Sequence, residues 1–238
     1  QLLVLLVGVA LPLIQLLAWA WPQLSGLLNP RLAGVVFNTM VLGLCGAVAV
    51  VLGGILVLAA TYRTSRRQQL LGEVAALGYA IPGTVLAVAI MLAFLRFDQL
   101  AGTALAGGMA ALVMAYLIRF LRVAWGPLDS VAGRIRPQYV EVARSLGVPR
   151  WYRLWRVSLP LLWPGLMTAF LLALVEVAKE MPATLMLRPF GWETLAVQIY
   201  ELTAEGQWEM AALPALILVL LGAIPVAVLI RSGRVRAI

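Results

Sequence analysis

Histidine is absent from the 238 residues, and cysteine occurs once, at position 45. Without histidine the chain lacks the commonest ligand for a transition metal and the commonest general base. A lone cysteine cannot close an intramolecular disulfide, and inside an apolar run Cys45 reads as a small buried hydrophobe. Charge is also scarce, at 12% of residues, where soluble domains carry about a quarter. No G-x-x-x-x-G-K-[ST] phosphate loop is present, so this chain has no ATP-hydrolysing motif of that kind. What fills the sequence is apolar surface, 63% of residues with a mean hydropathy of +0.98. That composition predicts an all-α, polytopic membrane protein. The net charge of +8 sits beside apolar segments and does not argue for nucleic acid.

A membrane-spanning helix needs about 20 mostly apolar residues. Six segments qualify: about 2–20, 34–60, 74–95, 102–120, 158–177 and 210–230. The third contains Ile81-Pro82-Gly83-Thr84 in its middle, which reads either as a packing kink or as an irregular backbone lining a pathway. Arg96-Phe-Asp98 reads as the loop after it, and Arg119 and Arg122 as the end of the fourth span. The opening, Gln1-Leu-Leu-Val-Leu-Leu, has no Met and no basic segment, which speaks against a signal peptide and for a start inside a longer polypeptide. Basic residues crowd the loops after the second and fourth spans and the segment after the sixth: Arg63, Arg66 and Arg67, then Arg122, Arg134 and Arg136, then Arg231, Arg234 and Arg236. By the excess of positive charge in cytoplasmic loops, that side is cytoplasmic and both ends of the segment lie inside.

One polar stretch, 137–160, separates the fourth and fifth spans. Pro137 suits the first turn of a helix, and Glu141 lies near the positive end of its dipole. Gly147 suits the left-handed residue that ends a helix, and Pro149 the start of the next. Trp151, Leu154, Trp155 and Ser158 recur at helical spacing, with Arg144, Arg150, Arg153 and Arg156 between them. Glu141-Val-Ala143, then Gly147, then Val157-Ser-Leu159-Pro160 resembles the EAA loop of ABC importer permeases, with Val142 and Val157 as two conservative departures. The resemblance implies a type I importer fold and a coupling helix that docks on a cytoplasmic ATPase, with Glu141, Ala143, Gly147, Leu159 and Pro160 as the coupling residues.

Tyr79-Ala-Ile-Pro-Gly-Thr84, Ala115-Tyr-x-x-Arg-Phe120 and the stretch from Glu180 to Ala196 are similar to ferric-iron ABC permeases, in particular to their C-terminal halves. What this implies is a permease domain over 1–238 that is one half of a longer two-half permease in the bacterial or archaeal inner membrane. Two ATP-binding subunits, a second homologous half, an extracytoplasmic binding protein and membrane lipid would be its partners. Ferric iron would be the substrate, with thiamine, polyamine, sulfate or phosphonate as the family's alternatives. The chain itself would be a transport subunit with no cofactor, no catalytic residue and no bound metal. The acidic, Trp-bearing loop from Arg188 to Trp208 is a natural docking surface. For the pathway, the candidates are Glu176, Lys179, Glu180, Pro82 and Gly83. Glu176 and Glu180 are four residues apart on one helix face. Two readings stand for them: a carboxylate pair facing the substrate, or an interfacial cluster pairing Lys179 with Glu176 and Arg188 with Glu180. A membrane-embedded enzyme, the reading from another class, would need a mid-span nucleophile or dyad; the lack of histidine and of aspartates inside the spans weighs against it.

Overall fold

The computed structural model describes residues 6–62, 70, 72–74 and 76–234. The basic segment at Arg63, Arg66 and Arg67 and the last arginine, Arg236, lie outside the described residues. The helices are α1 Leu11–Ala20, α2 Pro30–Thr61, α3 Gly83–Ala101, α4 Met109–Arg134, α5 Pro137–Ser145, α6 Arg150–Arg153, α7 Leu159–Ala178, α8 Pro182–Leu187, α9 Leu195–Ala204 and α10 Trp208–Arg234. Helical turns of other pitch extend α1 on both sides, over Leu6–Ala10 and Trp21–Leu28, and join α6 to α7 over Leu154–Ser158. Among the described residues there is no strand, and six helical stretches are long and apolar enough to cross a membrane.

The main core is α2, α4 and α7 packed against one another, with α3 and α8 against α4. α2 begins on Pro30, whose missing N–H costs nothing there, and Asn29 caps it by accepting a hydrogen bond from the Arg31 amide at 2.9 Å. Its small residues let backbones meet. A Cβ on Gly54 would lie 3.2 Å from the Trp125 amide nitrogen, and one on Gly46 would lie 2.8 Å from a Val177 methyl. A second cluster joins α1, the start of α2, α9 and α10 through Ala20, Leu32, Val35, Leu195, Ala212 and Leu213.

The outer faces are apolar too, as a lipid-facing surface requires; Leu44, Val48, Leu52 and Leu56 form an exposed stripe along α2. Cys45 lies on that exposed side. This corrects its reading as buried, because in a span an apolar position faces lipid as readily as protein.

Three boundaries also differ from the sequence reading. α3 starts at Gly83, so the Pro82-Gly83 pair lies at a helix start rather than in mid-span, with a short 3₁₀ segment, Ala76–Ala80, before it. Arg96 and Asp98 belong to the last turns of α3, and the turn follows them. Asp98 builds that turn: its carboxylate accepts from the Thr103 hydroxyl at 2.6 Å and from the Leu105 and Ala106 amides at 2.9 and 2.7 Å. α4 runs on past Arg119 and Arg122 to Arg134, because both arginines find carboxylate partners and neither has to end the helix.

The 3₁₀ segment rides directly on the α4 backbone, where a Cβ on Gly78 would fall 2.2 Å from the Ile118 carbonyl oxygen. Gly78→Ala therefore forces backbone displacement and should cost about 1–3 kcal/mol, the range for overpacking. Gly126→Ala, at a helical position with nothing within 4 Å, is the matched control. Thermal unfolding of the detergent-purified protein should show a lower Tm for Gly78→Ala alone.

Candidate functional site

The polar loop between α4 and α7 folds as two short helices around a left-handed glycine. Gly147 has φ +71°, its amide donates to the Arg144 carbonyl at 3.0 Å, and the Val148 amide donates to the Ala143 carbonyl at 3.1 Å. This crossed pair is the Schellman arrangement, in which a left-handed residue satisfies the last carbonyls of the helix. Nothing lies within 4 Å of a Cβ built on Gly147, so the backbone angle alone selects glycine. Ala143 is buried, Glu141 and Pro160 are exposed, and Leu159 is half-buried. Exposed apolar side chains crowd the loop: Tyr139, Val142, Leu146, Trp151 and Trp155. The two tryptophans meet edge to face at 5.5 Å. An apolar groove of about 580 Å³ runs between α5 and the turn that leads into α7, lined by Tyr139, Val142, Val157, Pro160 and Leu161 among others. A helix end fixed by a turn, one exposed carboxylate and an open apolar groove make a surface suited to docking against protein.

The second cluster lies where the middle of α4 passes the start of α3 and the end of α7. Arg119 is about 15 Å along α4 from Met109, at 1.5 Å per residue, and so far from either end of the helix. Its Nε is 3.1 Å from Glu180 Oε2, and its Nη1 donates to the Ile81 carbonyl at 2.8 Å. Glu180 Oε1 accepts from the Ala183 amide at 2.9 Å, in the first turn of α8. The Tyr116 and Thr184 hydroxyls are 2.7 Å apart, and Thr184 donates to the Glu180 carbonyl at 2.8 Å. Gly83 closes the group: a Cβ there would sit 3.1 Å from Arg119 Nη1, from Glu180 Oε1 and from the Pro182 Cβ. Two interruptions of the helical backbone, at Ile81–Pro82 and at Lys179–Met181, thus meet at one ion pair.

This geometry separates residues that the sequence places together. α7 ends at Ala178, so Glu180 lies beyond it and does not continue the face of Glu176. Glu176 pairs instead with Lys179 at 2.7 Å, half in solvent. Arg188 pairs with Glu201 at 2.8 Å and not with Glu180. Pro82 and Gly83 do adjoin Glu180, through Arg119 and Pro182. Arg119, Tyr116 and Thr184 were missed as site residues. Tyr116 and Arg119 stand three apart in the Ala115-Tyr-x-x-Arg-Phe120 motif, and that spacing on one helix face was the available signal. Among the described residues no three histidine, cysteine or carboxylate side chains come together to hold a metal.

Comparison with known proteins agrees with this architecture. Residues 49–236 match the family model described as "Binding-protein-dependent transport system inner membrane component". The chain is 34% identical over 183 residues to the putative 2-aminoethylphosphonate transport system permease protein PhnV of Salmonella typhimurium, covering 76% of this chain and 67% of the relative. It is 30% identical over 149 residues to the Fe(3+)-transport system permease protein FbpB 2 of Haemophilus influenzae, covering 62% of this chain and 28% of that one. Its fold is similar to that of a chain in the crystal structure of an amino acid ABC transporter with histidines, with a TM-score of 0.60 at 18% identity over 87% of this chain and 94% of the other.

The buried pair generates a stability prediction. Arg119→Leu leaves Glu180, whose side chain is 5% exposed, without its cation. Losing one partner of a buried pair costs about 3–5 kcal/mol, whereas replacing both by apolar residues costs far less. Membrane abundance should therefore fall for Arg119→Leu and recover only in part for Arg119→Leu with Glu180→Leu, which still leaves the Ile81 carbonyl and the Ala183 amide without their side-chain partners. Equal loss in the single and double variants would contradict the pairing.

Proposed function

The chain belongs to the family of binding-protein-dependent transport system inner membrane components, and on that footing we propose that it couples ATP hydrolysis in a separate subunit to uptake of a small solute. As a member it is a multi-pass permease subunit of an ABC importer. The observation that carries the coupling role is the 137–160 loop. Its Schellman turn holds Glu141 and an apolar groove outward on a protein-docking surface. In this reading the loop is cytoplasmic, and the ATPase is a dimer whose closure pulls on it and on its counterpart in a second permease half, either another copy or a homologous half. The ATPase then shifts the balance between inward- and outward-open states through contacts that differ between them.

On the opposite side, a cleft of about 690 Å³ is lined by Gln23, Arg31, Glu193, Glu201 and Glu205 among others. Its polar lining, with three glutamates to one arginine, suits a binding protein that presents polar and basic side chains.

For the substrate, a small aminophosphonate is the reading we favour. The relatives named for 2-aminoethylphosphonate match over three quarters of the chain, and the ionisable pair within the spans joins one cation to one anion. Ferric iron is the second reading. It is supported by the relative named for Fe(3+) and by the motifs around 79–84 and 180–196. A trivalent cation prefers several hard oxygen ligands, whereas here Glu176 and Glu180 each already hold a cation.

Two substitutions test the coupling role. Glu141→Ala removes an exposed charge and should weaken ATPase binding about tenfold while membrane abundance stays unchanged; co-purification of the ATPase subunit measures it. Gly147→Ala adds no clash and costs about 1–2 kcal/mol through the left-handed angle alone. It should lower uptake more than abundance. Wild-type uptake in both variants would remove the loop from the mechanism.

A further inference from the structure

We propose that Arg119 and Glu180 contact the substrate directly. Arg119 takes the anionic group of a small zwitterion, Glu180 takes its ammonium group, and the solute replaces each residue as the other's partner. This rests on the aminophosphonate reading above.

Depth comes first. Arg119 lies ten residues into α4, one of the helices long and apolar enough to cross a membrane, and its partner Glu180 follows the end of another; ionisable residues so placed mark substrate routes when they face a bundle interior or a water-filled cavity. The surrounding backbone says the same. Irregular backbone at membrane depth is tolerated where protein or a water-lined cavity covers it, and broken helices gather at transporter binding sites. Two such breaks, before Gly83 and before Pro182, converge on this pair.

The pair is also incompletely made. Arg119 Nε lies 3.1 Å from Glu180 Oε2, yet its N–H finds no aligned hydrogen-bond partner among the described residues. Arg119 keeps 20% of its side chain exposed and Glu180 only 5%. Arg119 is thus the more accessible of the two groups, although its Nε is itself buried. The Ile81 carbonyl holds Nη1 and the Ala183 amide holds Glu180, so each group stays placed when the other leaves it.

Charge balance then selects the class of solute. A simple anion on Arg119 would strip Glu180 of its partner, and a simple cation on Glu180 would strip Arg119. Stranding either charge in this environment is strongly unfavourable. A zwitterion exchanges one ion pair for two and leaves no charge unpaired. A solute carrying an ammonium and a phosphonate a few bonds apart meets that condition.

The test uses the complete permease–ATPase complex in lipid nanodiscs. Binding of radiolabelled 2-aminoethylphosphonate is measured, with ethylphosphonate, which lacks the amine, as competitor. The wild-type complex should prefer 2-aminoethylphosphonate at least tenfold. Glu180→Gln keeps the shape and the bond from Ala183 and should erase that preference while ethylphosphonate binding is retained or improved. The charge swap, Arg119→Glu with Glu180→Arg, keeps the two charges but loses the bonds to the Ile81 carbonyl and the Ala183 amide; where it still inserts it should lose binding at least tenfold, and where it does not, Glu180→Gln decides alone. If the wild-type complex binds no 2-aminoethylphosphonate, the substrate reading falls and this inference with it. If it binds and Glu180→Gln or the swap behaves as wild type, the pair is structural and the inference alone is overturned.

Discussion

Inside a bilayer no water is available to satisfy a free amide or carbonyl, so a helix that breaks there must find its partners within the protein. Two of the long apolar helices of this chain meet non-helical backbone at their ends, before Gly83 and after Ala178, and both ends are resolved at the same place. Arg119 supplies a donor to the Ile81 carbonyl, and Glu180 supplies an acceptor to the Ala183 amide. Their opposite charges make each tolerable at that depth. Around them the sequence is constrained in kind: a glycine at 83 because a side chain would press on both charged groups, and Tyr116 with Thr184 to close the remaining hydroxyls on each other.

The same constraint links the two candidate sites. α7 rises from the 137–160 loop through the turns at Leu154–Ser158 and ends two residues before Glu180. Its 20 residues form a helix about 30 Å long at 1.5 Å per residue. It packs against α2 and α4 for much of that length, so a displacement at the loop is carried by a stiff element rather than a flexible one. In the proposed cycle the ATPase acts at one end of this helix and the solute at the other. A change of partner at Glu180 gives the two states different energies, which is what an external driver needs in order to choose between them.

How much of this the sequence displays depends on the range of the interaction involved. The six spans follow from composition, and the folded shape of 137–160 follows from Pro137, Gly147 and Pro149, whose preferences are local. The Lys179–Glu176 pair is three residues apart and equally legible. Arg119 and Glu180 are separated by three helices in the chain, α5 to α7, and nothing local announces that they meet. Arg119 looked like the end of a span because an unpaired arginine would be one; its partner makes it an interior residue. The start of α3 was misplaced for a related reason. A Pro-Gly pair inside an apolar run looks like a kink until the arginine that satisfies the preceding Ile81 carbonyl is seen. Cys45 shows the limit of hydrophobicity in a membrane protein, where apolar sequence marks the outer face as well as the core.

The central claim is that the 137–160 loop is the surface through which an ATPase drives this permease. Site-directed cross-linking tests it most directly, in a background where the exposed native Cys45 is replaced by serine. A cysteine at Val142, an exposed position beside the groove, should cross-link to the ATPase subunit through a short linker in the assembled importer. A cysteine at Leu100, exposed near the opposite end of α3, should not. Cross-linking of the ATPase from position 100, or of the binding protein from position 142, would reverse the orientation and contradict the account.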